Sequence, residues 1–212
     1  MNGPLGLWMR SLAIIGCVAL AGAASASAQC PTRADLESGA TVYVAYPDEG
    51  TVELRWLGAG MVQETTRYPD GEGEFRMISM GGVFIIDEVD LDGDREIPES
   101  RIVSRFPPGL YDRLPVQPDI QMSLTAVNTF ADDTEPEEEH IELRTGGIDD
   151  IDIAGCRYSG FPMLITYSWD EEYFTSMMIH LPDLGLSVEV ARMDPDSGAI
   201  AFAPLAFSLQ MP

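Results

Sequence analysis

Apolar and polar residues alternate with period two along most of this chain beyond residue 40. Val52, Leu54 and Trp56 interleave with Glu53 and Arg55, and Ile120, Met122, Leu124 and Ala126 with Gln121, Ser123 and Thr125. Ile141 and Leu143 flank Glu142, with Arg144 after them. Leu186, Val188 and Val190 alternate with Ser187 and Glu189. Successive side chains of a strand point to opposite faces, so each apolar set covers one face of a sheet. A helix would scatter the same residues around its circumference. The expectation is an all-β protein.

Turn signals punctuate these segments: Pro47-Asp48-Glu49-Gly50, Gly58-Ala59-Gly60, Pro69-Asp70-Gly71, Gly81-Gly82, Asp92-Gly93, Gly146-Gly147, Ala154-Gly155, Pro182-Asp183-Leu184-Gly185 and Asp196-Ser197-Gly198. Gly permits positive φ and Pro presets the entry angle, so each cluster reverses the chain. The spacing predicts a single antiparallel meander of about ten to twelve strands. A sheet that large does not stay flat, so it is expected to curl into a half-barrel or fold over as a sandwich. Val83-Phe84-Ile85-Ile86 is apolar on both faces and should lie centrally or beneath the N-terminal segment. One short helix is expected over residues 33–38, with Pro31 at its first position and Gly39 just past its end. Tyr46-Pro47-Asp48 recurs as Tyr68-Pro69-Asp70, a repeat that two successive hairpins explain.

The first 28 residues read as an export signal. Arg10 precedes an apolar run over residues 12–24, and Ala26-Ser27-Ala28 supplies the small-x-small pattern of a cleavage site. Thirteen apolar residues fall short of the ~20 that cross a bilayer. The mature chain is then residues 29–212, expected as one domain without a transmembrane segment, in the periplasm or secreted. Ile14-Ile15-Gly16-Cys17 also resembles a lipobox, but the apolar run continues past it. Beyond Cys17 the cysteines are Cys30 and Cys156. An even pair in an oxidising compartment reads as a disulfide. It would close a loop worth ~4–5 kcal/mol in the chain-entropy picture.

Charge excludes one class of partner. The chain carries 35 acidic and 12 basic residues, net −23, and every basic residue is Arg. Such a protein is repelled by phosphate backbones, so nucleic acid is not expected as a partner. Residues 132–139 hold six carboxylates and read as a solvated loop.

The candidate chemistry is sparse. Asp90, Asp92 and Asp94 stand at positions 1, 3 and 5 of a stretch with Ile97 at position 8, which resembles an EF-hand or dockerin calcium loop. Arg95 replaces its glycine and Arg101 its final carboxylate, so an acidic hairpin loop competes with a calcium site. No cofactor is otherwise expected. His140 and His180 are the histidines; no G-x-S-x-G, H-E-x-x-H or Gly-rich phosphate motif is present, so no catalytic residue is assigned. Trp56, Tyr158, Tyr167, Trp169, Tyr173 and Phe174 could line a concave ligand site or serve as core.

Ile153-Ala154-Gly155-Cys156-x-Tyr158, then Ile165-Thr166-Tyr167, then Ile179-His180-Leu181-Pro182-Asp183-Leu184-Gly185-Leu186, resembles small uncharacterised exported proteins of alphaproteobacteria. It is also similar to the curled sheets of lipoprotein-localisation carriers of the LolA/LolB type. The resemblance covers residues 141–195 and implies a half-barrel with a concave apolar face, lidded by the N-terminal helix. No carrier motif matches position by position, so no functional residue transfers. The leading expectation is a non-enzymatic binding protein for an apolar small molecule or an envelope protein. A structural envelope protein stabilised by calcium is the alternative, and a hydrolase without a recognisable motif the third. The cysteine reading makes a direct prediction: thiol titration of the denatured exported protein finds no free sulfhydryl, and two titrating thiols would refute the bridge.

Overall fold

The computed structural model describes residues 29–211 apart from 48, 49, 133, 171 and 195–197. The segment read as an export signal, with Cys17, lies outside the described residues, as do parts of the turns at 47–50 and 196–198. The chain is all-β, with fifteen strands among the described residues where ten to twelve were expected. In chain order they are β1 (Thr41–Tyr46), β2 (Gly50–Gly58), β3 (Met61–Arg67), β4 (Phe75–Met80), β5 (Phe84–Asp92), β6 (Arg95–Glu96), β7 (Ile102–Arg105) and β8 (Gln121–Phe130). Then come β9 (Glu137–Thr145), β10 (Asp149–Ile153), β11 (Cys156–Trp169), β12 (Glu172–Leu181), β13 (Leu186–Asp194), β14 (Gly198–Ala201) and β15 (Ala206–Ser208). The surplus comes from pieces such as β6 and β15, too short to show a period of two. Residues 137–139, read as loop, begin β9.

All strands join one antiparallel sheet that does not close on itself. Its order is β14-β13-β12-β11-β9-β8-β7-β5-β4-β3-β2-β1-β15, with β10 beside β11 and β6 beside β5. The last strand thus returns to the first: Tyr43, Val44 and Ala45 face Ser208, Phe207 and Ala206. Between β14 at one end of the order and β15 at the other lie only residues 202–205, a span of at most about 17 Å from Ala201 to Ala206. The backbone N–H of Phe202 bonds Val190 O at 2.9 Å on β13, and that of Leu205 bonds Ala45 O at 2.7 Å on β1. The sheet must therefore curl until its two ends nearly meet. The β4–β5 turn also meets the β12–β13 turn: a Cβ on Gly82, whose φ is +69°, would stand 3.2 Å from the Gly185 carbonyl oxygen. A side chain there would push the two turns apart.

Two buried clusters fill the curl. One gathers Phe161, Met163, Ile165 and Tyr167 of β11 with Ile141, Leu143, Met122, Val83 and Phe84. The other gathers Val42, Val44, Leu54 and Val62 with Leu181, Leu186, Val188, Phe207 and Leu36. Leu36 belongs to α1 (Arg33–Glu37), the expected N-terminal helix. Thr32 rather than Pro31 starts it: Thr32 and Asp35 form a reciprocal capping box, which leaves Pro31 outside. Gly39 follows at φ +88°, as expected. The Cys30 and Cys156 sulfurs lie at bonding distance, 2.00 Å, and tie this segment to the start of β11. The Tyr158 hydroxyl donates to Pro31 O at 2.9 Å, and Arg33 Nη1 to Leu184 O at 2.9 Å. Among the described residues no helix is long and apolar enough to cross a membrane.

Phe161 is fully buried, and truncation there leaves a cavity the strands cannot collapse into. Phe161→Ala is expected to lower unfolding free energy by about 3–5 kcal/mol, read from urea melts; a loss under 1 kcal/mol would contradict this packing.

Candidate functional site

The curl encloses a cavity of about 340 Å³ between its two halves. From one side come Val44, Val52, Leu54, Glu64, Thr66, Phe75, Met77 and Ser79, and from the other Tyr167, Phe174, Ser176, Met178, Ser187 and Glu189. Period two accounts for most of this lining: Glu64 pairs with Leu54 and Met77 across the sheet and shares their face. Tyr46 and Tyr68, the first residues of the repeated motif, also line it. Both strand ends deliver a tyrosine inward.

Two β-bulges add residues that strict alternation would send outward. On β5 the register steps from Ser79↔Ile85 to Ile78↔Asp87, leaving Ile86 as the extra residue. Ile85 and Glu88 then share the inner face, while Asp87 turns away to accept two bonds from Arg101 Nη1 at 2.8 and 2.7 Å. On β13 the register steps from Met178↔Glu189 to Met177↔Ala191, leaving Val190 over. Arg192 comes to face Ser176 beside Glu189. A bulge flips the parity of everything after it, and here it aims a charge into the lumen each time.

A second cavity of about 400 Å³ adjoins the first, sharing Ile85, Glu88, Tyr167 and Phe174. Phe106, Phe130, Trp169, Asn128 and Glu137 to Glu139 complete it. Tyr167 and Phe174 stack at 4.9 Å between ring centroids, and Trp169 meets Phe174 edge-on at 5.9 Å. The Asn128 Oδ1 is buried without a hydrogen-bond partner among the described residues.

The electrostatics of this space are unusual. Burial, then repulsion from Glu189, pushes the Glu64 carboxyl up to about 7, with Arg192 opposing and Glu88 adding. Burial also raises Glu88, helped by Asp90 and Glu139, and burial raises Glu139. The Tyr167 hydroxyl is raised by burial and then by Glu139, Glu189, Glu64 and Glu88. Glu189 is compensated: it accepts from Ser176 Oγ at 2.6 Å and from Arg192 Nε and Nη2 at 3.1 and 2.7 Å. The Glu64 and Glu88 backbones are paired in the sheet, but among the described residues neither carboxylate has a hydrogen bond or an ion pair.

Of the residues singled out in the sequence, Tyr167, Trp169 and Phe174 come together in the cavity walls and the others disperse. Asp94 pairs with Arg67 at 2.7 Å and Asp92 with Arg95 at 2.8 Å, in the β5–β6 hairpin. Asp90 is engaged through its backbone, its N–H donating to Ser100 Oγ at 2.8 Å. The three carboxylates do not converge, because arginines draw two of them to separate partners. No group of three or more His, Cys, Asp or Glu among the described residues is placed to hold a metal ion. Trp56 lies 4.1 Å from the Arg33 guanidinium and Tyr158 packs edge-on to Phe207 at 5.6 Å, both away from the lumen. Tyr173 is exposed. His140 is exposed too, 3.3 Å from Ser123 Oγ. His180 is buried with its Nδ1 3.0 Å from Ser187 Oγ, and burial pushes its pKa down to about 4. A neutral imidazole bonded to a hydroxyl fits a satisfied interior pair. Its neighbour is the Phe161 ring at 5.1 Å rather than an orienting carboxylate, so the pair lacks the third member of an activated nucleophile.

Glu64, Glu88, Glu139 and Glu189 were missed from the sequence. Glu64 alone left a trace, as a charge in step with Val62 and Thr66.

Folding raises the Glu64 carboxyl, so its contribution to stability is full below the ordinary value of 4.5 and is lost as pH rises through about 7. Glu64→Gln removes that loss. It should stabilise the protein by roughly 1–3 kcal/mol at pH 8 and change little at pH 4.5, as read from denaturant melts at the two pH values. Equal effects at both would contradict a buried, ionising Glu64.

No protein-family model matches the chain, and no curated protein matches it. Among solved structures, it is similar to the crystal structure of the hypothetical lipoprotein YmcC from Escherichia coli (K12), with a TM-score of 0.41 and 9% identity over 79% of this chain and 88% of that one. A likeness of that size transfers no residue role from one chain to the other.

Proposed function

We propose that this chain is an exported, envelope-associated binding protein that takes an apolar ligand into the lumen of its curled sheet. The observation that carries the reading is the cavity of about 340 Å³ walled by Val44, Leu54, Met77, Met178 and Phe174 from opposite halves of one sheet. Ligand sites are concave, mostly apolar, and marked by a few convergent polar groups, at volumes of roughly 300–1,000 Å³. Met77 and Met178 add adaptable walls that accommodate irregular apolar shapes. The disulfide and the N-terminal leader pattern support an exported location. A binding role is favoured over a catalytic one because the cavity's carboxylates face apolar walls and its bonded hydroxyl, Ser176, donates to Glu189, itself held by Arg192, instead of standing as a nucleophile beside a base.

The neutral fluorophore Nile red serves as probe. Saturable one-to-one binding is expected. Met178→Trp, which fills the lumen, should weaken it about tenfold or more, as should Ser79→Phe on the opposite wall. Met177→Trp, on the outward face of the same strand, serves as the control for folding and surface binding. Binding that is absent, or equal in all four proteins, would overturn the lumen as the site.

A further inference from the structure

The carboxylates inside the lumen are treated differently from those outside it. Arg67 holds Glu74 at 2.8 Å and Asp94 at 2.7 Å, Arg101 holds Asp87 at 2.7 Å, and Arg76 and Arg101 both reach Glu96. The part-buried Glu74, Asp87 and Glu96 thus each have an arginine. Among the described residues Glu64 and Glu88 lie in the cavity wall without an ion pair or a side-chain hydrogen bond; Arg192, which lines the same cavity, is bonded to Glu189 and acts on Glu64 through its charge alone. The contrast is sharpest at neighbouring positions: Asp87, facing out, has Arg101, and Glu88, facing in, has none.

An uncompensated buried carboxylate costs several kcal/mol, and nothing in the packing here repays it. Glu64 lies deep, yet it keeps surface on the cavity side. Beside the two carboxylates stand the Tyr167 and Phe174 rings, stacked at 4.9 Å, which line both cavities with Glu88. Carboxylates beside aromatic rings on an apolar wall are the surroundings that ammonium groups seek, and the ring quadrupole here already draws one cation, the Arg192 guanidinium 6.0 Å from the Phe174 centroid. The chain's net charge of −23 draws cations toward it.

We infer that the lumen is built for a cationic amphiphile, with an ammonium group seated against Glu64 and Glu88 beside Tyr167 and Phe174 and an alkyl tail along the Met77–Met178 walls. This rests on the lumen being the binding site. It names the class of ligand. Glu189 stays bonded to Arg192 and Ser176 and closes one side, while Glu139 and, on the exposed rim, Asp90 extend the negative field. In the empty protein the Glu64 carboxyl holds a proton near neutrality, and the ammonium takes that proton's place.

The test displaces Nile red with decyltrimethylammonium, 1-decanol or decanoate below their aggregation limits, at pH 8. The cation should displace at about tenfold lower concentration than the alcohol, and decanoate should be weakest. Glu64→Gln with Glu88→Gln should bring the cation-to-alcohol ratio to about one, whereas Glu142→Gln on the exposed face should leave it intact. Calorimetry of decyltrimethylammonium at pH 6.5, in two buffers of different ionisation enthalpy, should show proton release that the double variant lacks. Nile red binding with no head-group preference, or a preference that survives the double variant, overturns the cationic class and leaves the lumen as a site. Failure of Nile red itself overturns both.

Discussion

The pairing of β15 with β1 is the constraint on which the rest of the fold depends. A meander of this length would otherwise have two free edges far apart. Because residues 202–205 connect strands at opposite ends of the order, and a short peptide spans only so far, the sheet curls to bring those ends within reach. Curling is what turns one apolar face into an enclosed space. The Tyr46 hydroxyl, donating to Glu189 O at 2.8 Å, and the Tyr46–Phe202 ring contact at 5.5 Å hold the same seam together with side chains. The disulfide acts at a different place, fixing the N-terminal segment over the second core cluster beside α1 and β11.

Within that space, low polarity magnifies each charge. Outside the lumen, part-buried carboxylates are satisfied by arginine; inside, Glu64 and Glu88 are not, and their protons are held more tightly as a result. A fold optimised for stability alone would place a leucine or a glutamine at either position. Such positions trade stability for polarity in the cavity wall, which is the arrangement the proposed binding role rests on. The β-bulges at Ile86 and Val190 belong to the same arrangement, because without them Glu88 and Arg192 would face solvent.

The strands were legible where apolar and polar residues alternate. Met122 to Ala126, Ile141 to Leu143 and Leu186 to Val190 all lie in strands. The bridge between Cys30 and Cys156 and the short helix that stops before Gly39 were also legible, because thiol parity and a terminating glycine are local signals. The misreadings have local causes as well. Pro31 was favoured as a helix start, yet the Thr32–Asp35 capping box outweighs it by satisfying two orphan donors. Glu137 to Glu139 were assigned to a loop on charge, but pairing with Val127, Ala126 and Asn128 draws them into β9. Asp90, Asp92 and Asp94 have the spacing of a calcium loop, with an acidic hairpin loop as the competing reading; they stand at the β5–β6 hairpin, where Asp92 and Asp94 pair with Arg95 and Arg67.

Taken alone, then, the order of residues determined the secondary structure class, the direction of each turn, the cross-link and the strong negative charge. These follow from interactions between residues close in the chain, or from counts. The formation of a lumen, the parity of Glu88 and Arg192, and the lack of an ion pair on Glu64 among the described residues were decided by tertiary structure. The curl is set by the pairing of β1 with β15, more than a hundred residues apart, and the parity by register slips in the β4–β5 and β12–β13 hairpins, which the residue pattern does not announce.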